Sequence, residues 1–140
     1  MRVVLDANVL ISAMLSRTGA PARILTAWID GQFELMVSPQ LVAEFERALG
    51  YPKLRRRIPA DDGERFVAWL TATAVMVADP DDPPLVRSRD PDDDYLIALA
   101  VDQRANLVSG DDHLLGLSGD LPIYSPSGFL ALLRGVGSNG

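Results

Sequence analysis

The sequence predicts a three-layer α/β/α sandwich built around a central, mostly parallel five-stranded sheet. Short aliphatic runs alternate with longer helical patterns along the chain, the signature of parallel strands joined by crossover helices. Several helices are announced by proline at a first helical position just after a strand end. The first aliphatic run, Val3-Val4-Leu5, reads as a strand buried on both faces and closes on a carboxylate, Asp6. Open α/β sheets gather ligands at the carboxyl ends of such strands, so Asp6 is placed where chemistry happens.

Each element follows in order. The strands are expected at residues 2–6, 34–38, 74–78, 106–109 and 121–124. Ala20-Pro21 opens a helix that Gly31 is placed to end, and Ser38-Pro39 opens another that Gly50 ends. Residues 79–84 and 87–93 are rich in Asp and Pro and read as loops. Asp94 then opens the helix Tyr95-Leu96-Ile97-Ala98-Leu99-Ala100-Val101, which is apolar nearly all round and hence buried. A short segment, 112–117, follows the fourth strand, and Ser125-Pro126 opens the last helix. Neither a repeat nor a linker interrupts residues 1–134, so a single domain is expected, with the polar, glycine-rich residues 135–140 as a flexible tail.

With 140 residues and 48% apolar content, the chain has enough material for one real core. Its net charge of −6 argues against a broad basic face that coats nucleic acid, but leaves room for an enzyme whose acidic site works through bound cations. There is no cysteine, so a metal would be held by oxygen or by the single histidine, His113. Asp6 and Asn8 interrupt the apolar N-terminal stretch, which argues against a signal peptide, and the apolar run 96–101 is far too short to span a bilayer. The expectation is a soluble, cytoplasmic protein without a membrane partner.

Four acids occupy equivalent places in this scheme. Asp6 closes the first strand, Glu44 lies on the helix after the second, Asp94 opens the buried helix, and Asp111 follows the fourth strand in Leu107-Val108-Ser109-Gly110-Asp111. In a parallel sheet these points share one edge. At about 100° per residue, Leu41, Val42, Phe45, Ala48 and Leu49 form one stripe and Glu44 falls roughly 40° outside it, at the border of the buried face. A helix N-cap explains one of Asp90, Asp92, Asp93 and Asp94, but capping does not need four acids. Carboxylates about 4 Å apart repel by roughly 4 kcal/mol at an effective dielectric near 20, so a cluster of them either takes up protons or holds a cation. Oxygen ligands without thiolate suit Mg²⁺ or Mn²⁺, which can activate water and stabilise the leaving oxygen of a phosphodiester.

These residues resemble the PIN-domain family, and within it the VapC-like toxin components of bacterial toxin–antitoxin operons. The resemblance runs through Val3-Val4-Leu5-Asp6-Ala7-Asn8, Ser38-Pro39 to Glu44, the stretch from Arg89-Asp90-Pro91-Asp92-Asp93-Asp94 through Ala100, and Leu107 to Asp111. It implies a PIN-like fold and a Mg²⁺- or Mn²⁺-dependent endoribonuclease that hydrolyses RNA. Asp6, Glu44, Asp94 and Asp111 would be its catalytic metal ligands, with Asn8, Ser109 and Asp90 as supporting polar neighbours. It also implies a cognate antitoxin protein and a homodimer. Family members often carry a second acid two residues after the position of Asp111. Here that residue is His113, which leaves one-metal and two-metal mechanisms open.

Arg55-Arg56-Arg57, beside Tyr51, is the one dense basic patch, and it reads either as a clamp for RNA phosphates or as a solvated helix end. Trp28, Phe33, Phe66, Trp69 and Phe129 are spaced as core or interface residues, with a core role favoured over coverage by an antitoxin segment. An aspartate-phosphorylated protein is disfavoured, because Asp6-Ala7-Asn8 lacks a second Asp and Lys53, the only lysine, does not follow a late strand. The alternative to an enzyme is a catalytically weak or silent PIN-like module that binds RNA or protein.

Overall fold

The computed structural model describes residues 1–138, with side chains through Gly135. Five strands form one sheet: β1 (Arg2–Leu5), β2 (Glu34–Val37), β3 (Val75–Met76), β4 (Asn106–Val108) and β5 (Ile123–Tyr124). Their order is β3-β2-β1-β4-β5 and every pairing is parallel. The expected three-layer architecture is therefore present, with a sheet that is parallel throughout.

Around the sheet lie α1 (Ala7–Leu15), α2 (Ala20–Ile29), α3 (Pro39–Leu49), α4 (Pro52–Arg55), α5 (Ala60–Thr73), α6 (Asp94–Asp102), α7 (Asp112–Leu115) and α8 (Pro126–Ser138). A single 3₁₀ turn, Pro91–Asp93, leads into α6. The helices α1, α2, α3, α5 and α8 pack against one another, while α6 lies on β1 and β4. Right-handed crossovers produce such a division: connections running one way along the sheet lie on one face and those running back lie on the other.

The central strands are what a doubly covered sheet requires. Val3, Val4, Leu5, Leu107 and Val108 are fully buried, whereas Val75 and Met76 on the edge strand β3 are exposed. The strand β3 is shorter than the expected 74–78, although a further bond, Val77 N–H to the Val37 carbonyl at 2.8 Å, extends its register. Of the aromatic residues, Phe33 and Phe129 are buried, while Trp28, Phe66 and Trp69 are half-buried. Phe66 stacks edge-on against both Phe45 and Trp69, Trp69 meets Trp28, and Phe33 meets Phe129.

Local signals set the helix starts. The Ser38 hydroxyl caps α3 by accepting from Leu41 N–H at 3.3 Å, and Ser125 Oγ accepts from Gly128 N–H at 3.0 Å at the start of α8. Helix α2 stops at Ile29, and Gly31 then takes φ +79°, a left-handed turn that glycine tolerates. Residues Gly135 to Ser138, expected in the tail, continue α8. Asn139 and Gly140 lie outside the described residues. Among the described residues no helix is long and apolar enough to cross a membrane.

Candidate active site

Strand order locates the site before any side chain is considered. From β1 the chain builds outward through β2 and β3, then returns to place β4 on the other side of β1. The order reverses between β1 and β4, and the crevice at the carboxyl ends of that pair is where α/β sheets bind ligands. Asp6 follows β1 and Ser109-Gly110-Asp111 follows β4.

Asp6 is buried and Ser109 is fully buried. The Ser109 hydroxyl donates to Asp6 Oδ2 at 2.8 Å and accepts from Asp111 N–H at 3.0 Å, so one serine ties both strand ends together. Asp6 also N-caps α1 by accepting from Asn8 N–H at 3.4 Å. Asn8 thus supports the carboxylate through its backbone, and its side chain is exposed. Asp111 caps α7 by accepting from His113 N–H at 2.9 Å. Capping and site-building are one arrangement here, because a carboxylate at a helix start is held by the free N–H groups of the first turn.

The 3₁₀ turn supplies a different acid from the one expected. Asp94 does not face the cluster: its Oδ1 accepts from Ser88 N–H at 2.9 Å and its Oδ2 meets the Arg87 guanidinium at 3.2 Å. Asp93, not Asp94, lies with Asp111, Asp90 and Asp6. Neighbouring side chains on a helical turn diverge by about 100°, so of two adjacent acids only one can face the crevice. Asp93 Oδ2 is buried and has no hydrogen-bond partner among the described residues. Asp90, which caps the turn by accepting from Asp92 N–H at 3.0 Å, is half-buried beside it.

The acids feel one another. Burial, contact with the Asp111 carboxylate and the charges of Asp111, Asp90 and Asp6 push Asp93 up to about 7. Burial also raises Asp6, with Asp111 adding to the effect and the Ser109 hydroxyl opposing it. Glu44, half-buried on α3, is raised by burial and then by the negative charge of Asp6, with Arg47 opposing. Its Oε2 accepts a hydrogen bond from the Tyr95 hydroxyl on α6. Sequence periodicity put Glu44 at the border of the buried face, and the structure places it there. Tyr95 was not recognised as a site residue, because within an apolar run a tyrosine reads as core.

A cleft of about 340 Å³ beside these acids is lined by Gln40, Ala43, Glu44, Arg47, Pro91, Asp92 and Tyr95. Arg55, Arg56 and Arg57 are not part of it. They lie in and just after α4, beyond the far end of α3, a helix of 11 residues and hence about 16 Å long. The donor set fits a hard divalent cation: several carboxylates, a buried carboxylate oxygen without a partner, and carboxyl groups whose pKa values are raised by burial and by one another's charge.

A sequence profile of the PIN domain matches residues 2–113, most of the chain and every element that builds this crevice. The chain belongs to the PIN domain family. PIN domains are generally metal-dependent nucleases. An uncharacterized protein of Methanocaldococcus jannaschii is 30% identical over 118 residues, covering 84% of this PIN domain chain and 75% of that protein. The crystal structure of PAE2754 from Pyrobaculum aerophilum superposes with a TM-score of 0.65 at 16% identity, over 96% of this chain and 90% of that one. VapBC2 from Rickettsia felis, solved bound to a DNA fragment from its promoter, gives 0.60 at 11% identity, over 89% of this chain and 98% of the matched chain. At such identities the two structures attest the PIN fold.

Proposed function

We propose that this PIN domain is a metal-dependent endoribonuclease that acts in the cytoplasm as the toxin of a type II toxin–antitoxin pair. The observation that carries the nuclease reading is the convergence of Asp6, Asp93 and Asp111 at the β1–β4 crevice, with Asp90 and Glu44 beside them and Asp93 driven toward neutrality. The resemblance of the sequence motifs to VapC-like toxins supports the toxin role, the antitoxin partner and a homodimer, and the likeness to the VapBC2 structure agrees with it in fold.

Asp6, Asp93 and Asp111 would hold Mg²⁺ or Mn²⁺, with Glu44 contributing directly or through water. Such a cation, when bound, supplies a water of lowered pKa and neutralises charge on a phosphodiester oxygen. The chain supplies the rest. Ser109 fixes the orientation of Asp6 and the approach of Asp111. Tyr95 holds Glu44 at the edge of the crevice, where its carboxylate can orient the attacking water and accept its proton. Arg47 offers a cation to phosphate and Tyr95 a ring edge to a base, both from the cleft next to the acids. Arg55, Arg56 and Arg57 would touch only RNA that continues along α3 past that cleft.

The test is incubation of the purified protein with labelled RNAs in Mg²⁺, Mn²⁺ and EDTA, alongside Asp6→Asn. Internal cleavage that needs metal and disappears in the variant is expected. A folded protein that binds metal but cuts no RNA would instead be a binding module.

A further inference from the structure

We infer that His113 is a metal ligand acting with Asp90 and Asp93, and that it gives the site a preference for Mn²⁺ over Mg²⁺. This rests on the metal-site reading above but not on the reaction proposed for it.

Ligand atoms of Asp90, Asp93 and His113 all lie within 4.8 Å of one another. Two donors on opposite sides of one ion, each about 2.1 Å away, stand about 4.2 Å apart, so a small closure brings the three onto a single cation. Two further observations point the same way. Asp93 carries a buried carboxylate oxygen, Oδ2, without a hydrogen-bond partner among the described residues. The imidazole Nδ1 stands 3.8 Å from Asp111 Oδ1, too far for a hydrogen bond, so the ring is not committed there. The His113 backbone is nonetheless held, since its N–H donates to the Asp111 carboxylate that caps α7.

Nitrogen changes which ion is favoured. Mg²⁺ takes oxygen donors and keeps much of its water, whereas Mn²⁺ stands on the series of increasing affinity for nitrogen ligands. Replacing an oxygen donor by imidazole therefore penalises Mg²⁺ more than Mn²⁺.

The experiment is pulsed electron paramagnetic resonance of the protein loaded with Mn²⁺, with calorimetric titrations of Mn²⁺ and of Mg²⁺, on the wild type and on His113→Asp. Directly bound imidazole gives a ¹⁴N coupling to the Mn²⁺ electrons, expected in the wild type and absent in the variant. The ratio of Mn²⁺ to Mg²⁺ affinity is expected to fall about tenfold in His113→Asp. Bound Mn²⁺ without nitrogen coupling in the wild type would overturn the inference, as would an unchanged affinity ratio. RNA cleavage measured on the same samples separates the two readings. Cleavage without the nitrogen signal removes the histidine ligand and leaves the nuclease standing, and the signal without cleavage does the reverse.

Discussion

Ser109 and Asp6, 103 residues apart in sequence, share a buried 2.8 Å hydrogen bond in which the hydroxyl donates to the carboxylate. The same hydroxyl accepts from Asp111 N–H, so it sets the spacing of two acids on neighbouring strands. Ser109→Ala leaves every proposed ligand in place but removes the tie. Metal affinity is expected to drop roughly 10- to 100-fold, since residues that orient metal ligands carry effects of that size. Stability should fall by about 1.5–3 kcal/mol, because a buried hydrogen bond to a charged group is lost. Calorimetry with Mn²⁺ and chemical denaturation check the two parts.

Tyr95 acts on Glu44 in a similar way across the gap between α6 and α3. Tyr95→Phe keeps the ring and removes the donor. Glu44 then gains freedom to turn toward solvent, and single-turnover cleavage is expected to slow by about tenfold. RNA affinity should change little, because the ring remains in the cleft. A loss confined to affinity would assign Tyr95 to substrate binding alone.

The acid cluster also makes stability depend on pH in an unusual direction. The Asp93 carboxyl is raised from 3.8 to about 7, and Asp6 and Glu44 are shifted the same way. Between these limits the folded protein keeps a proton that the unfolded chain has released. The stabilisation is complete below the unfolded value and is lost as pH rises through the folded one. Without metal, the melting temperature is expected to fall from about pH 5 to about pH 8. A divalent cation should reduce that fall by taking the place of the protons. A metal-free melting temperature that rises over this interval would contradict the assignment.

Much of this was legible in the sequence. Aliphatic runs and proline starts gave all five strands to within a few residues, because buried parallel strands must be continuously apolar and proline fits the first turn of a helix. Asp6, Glu44 and Asp111 could be placed because strand ends and helix periodicity fix position along one axis. The choice between Asp93 and Asp94 could not be made that way. It depends on how a 3₁₀ turn joins α6, a matter of one residue and about 100° of rotation. The hydrogen bonds from Ser88 and Arg87 to Asp94 decide it, and they come from a loop without a periodic pattern. For the arginines the sequence left two readings open, a phosphate clamp or a solvated helix end. Helix α3 carries them away from Glu44, a distance that a basic patch in the sequence does not reveal.

The most direct measurement is metal-dependent RNA cleavage by Asp93→Asn and Asp94→Asn side by side with the wild type. Asp93→Asn is expected to lose about 100-fold or more of the rate, because it removes a carboxylate from the cluster. Asp94→Asn is expected to stay within about threefold of the wild type and to lose some stability, because its carboxylate holds Ser88 and Arg87. Full activity in Asp93→Asn with loss in Asp94→Asn would contradict this account of the site.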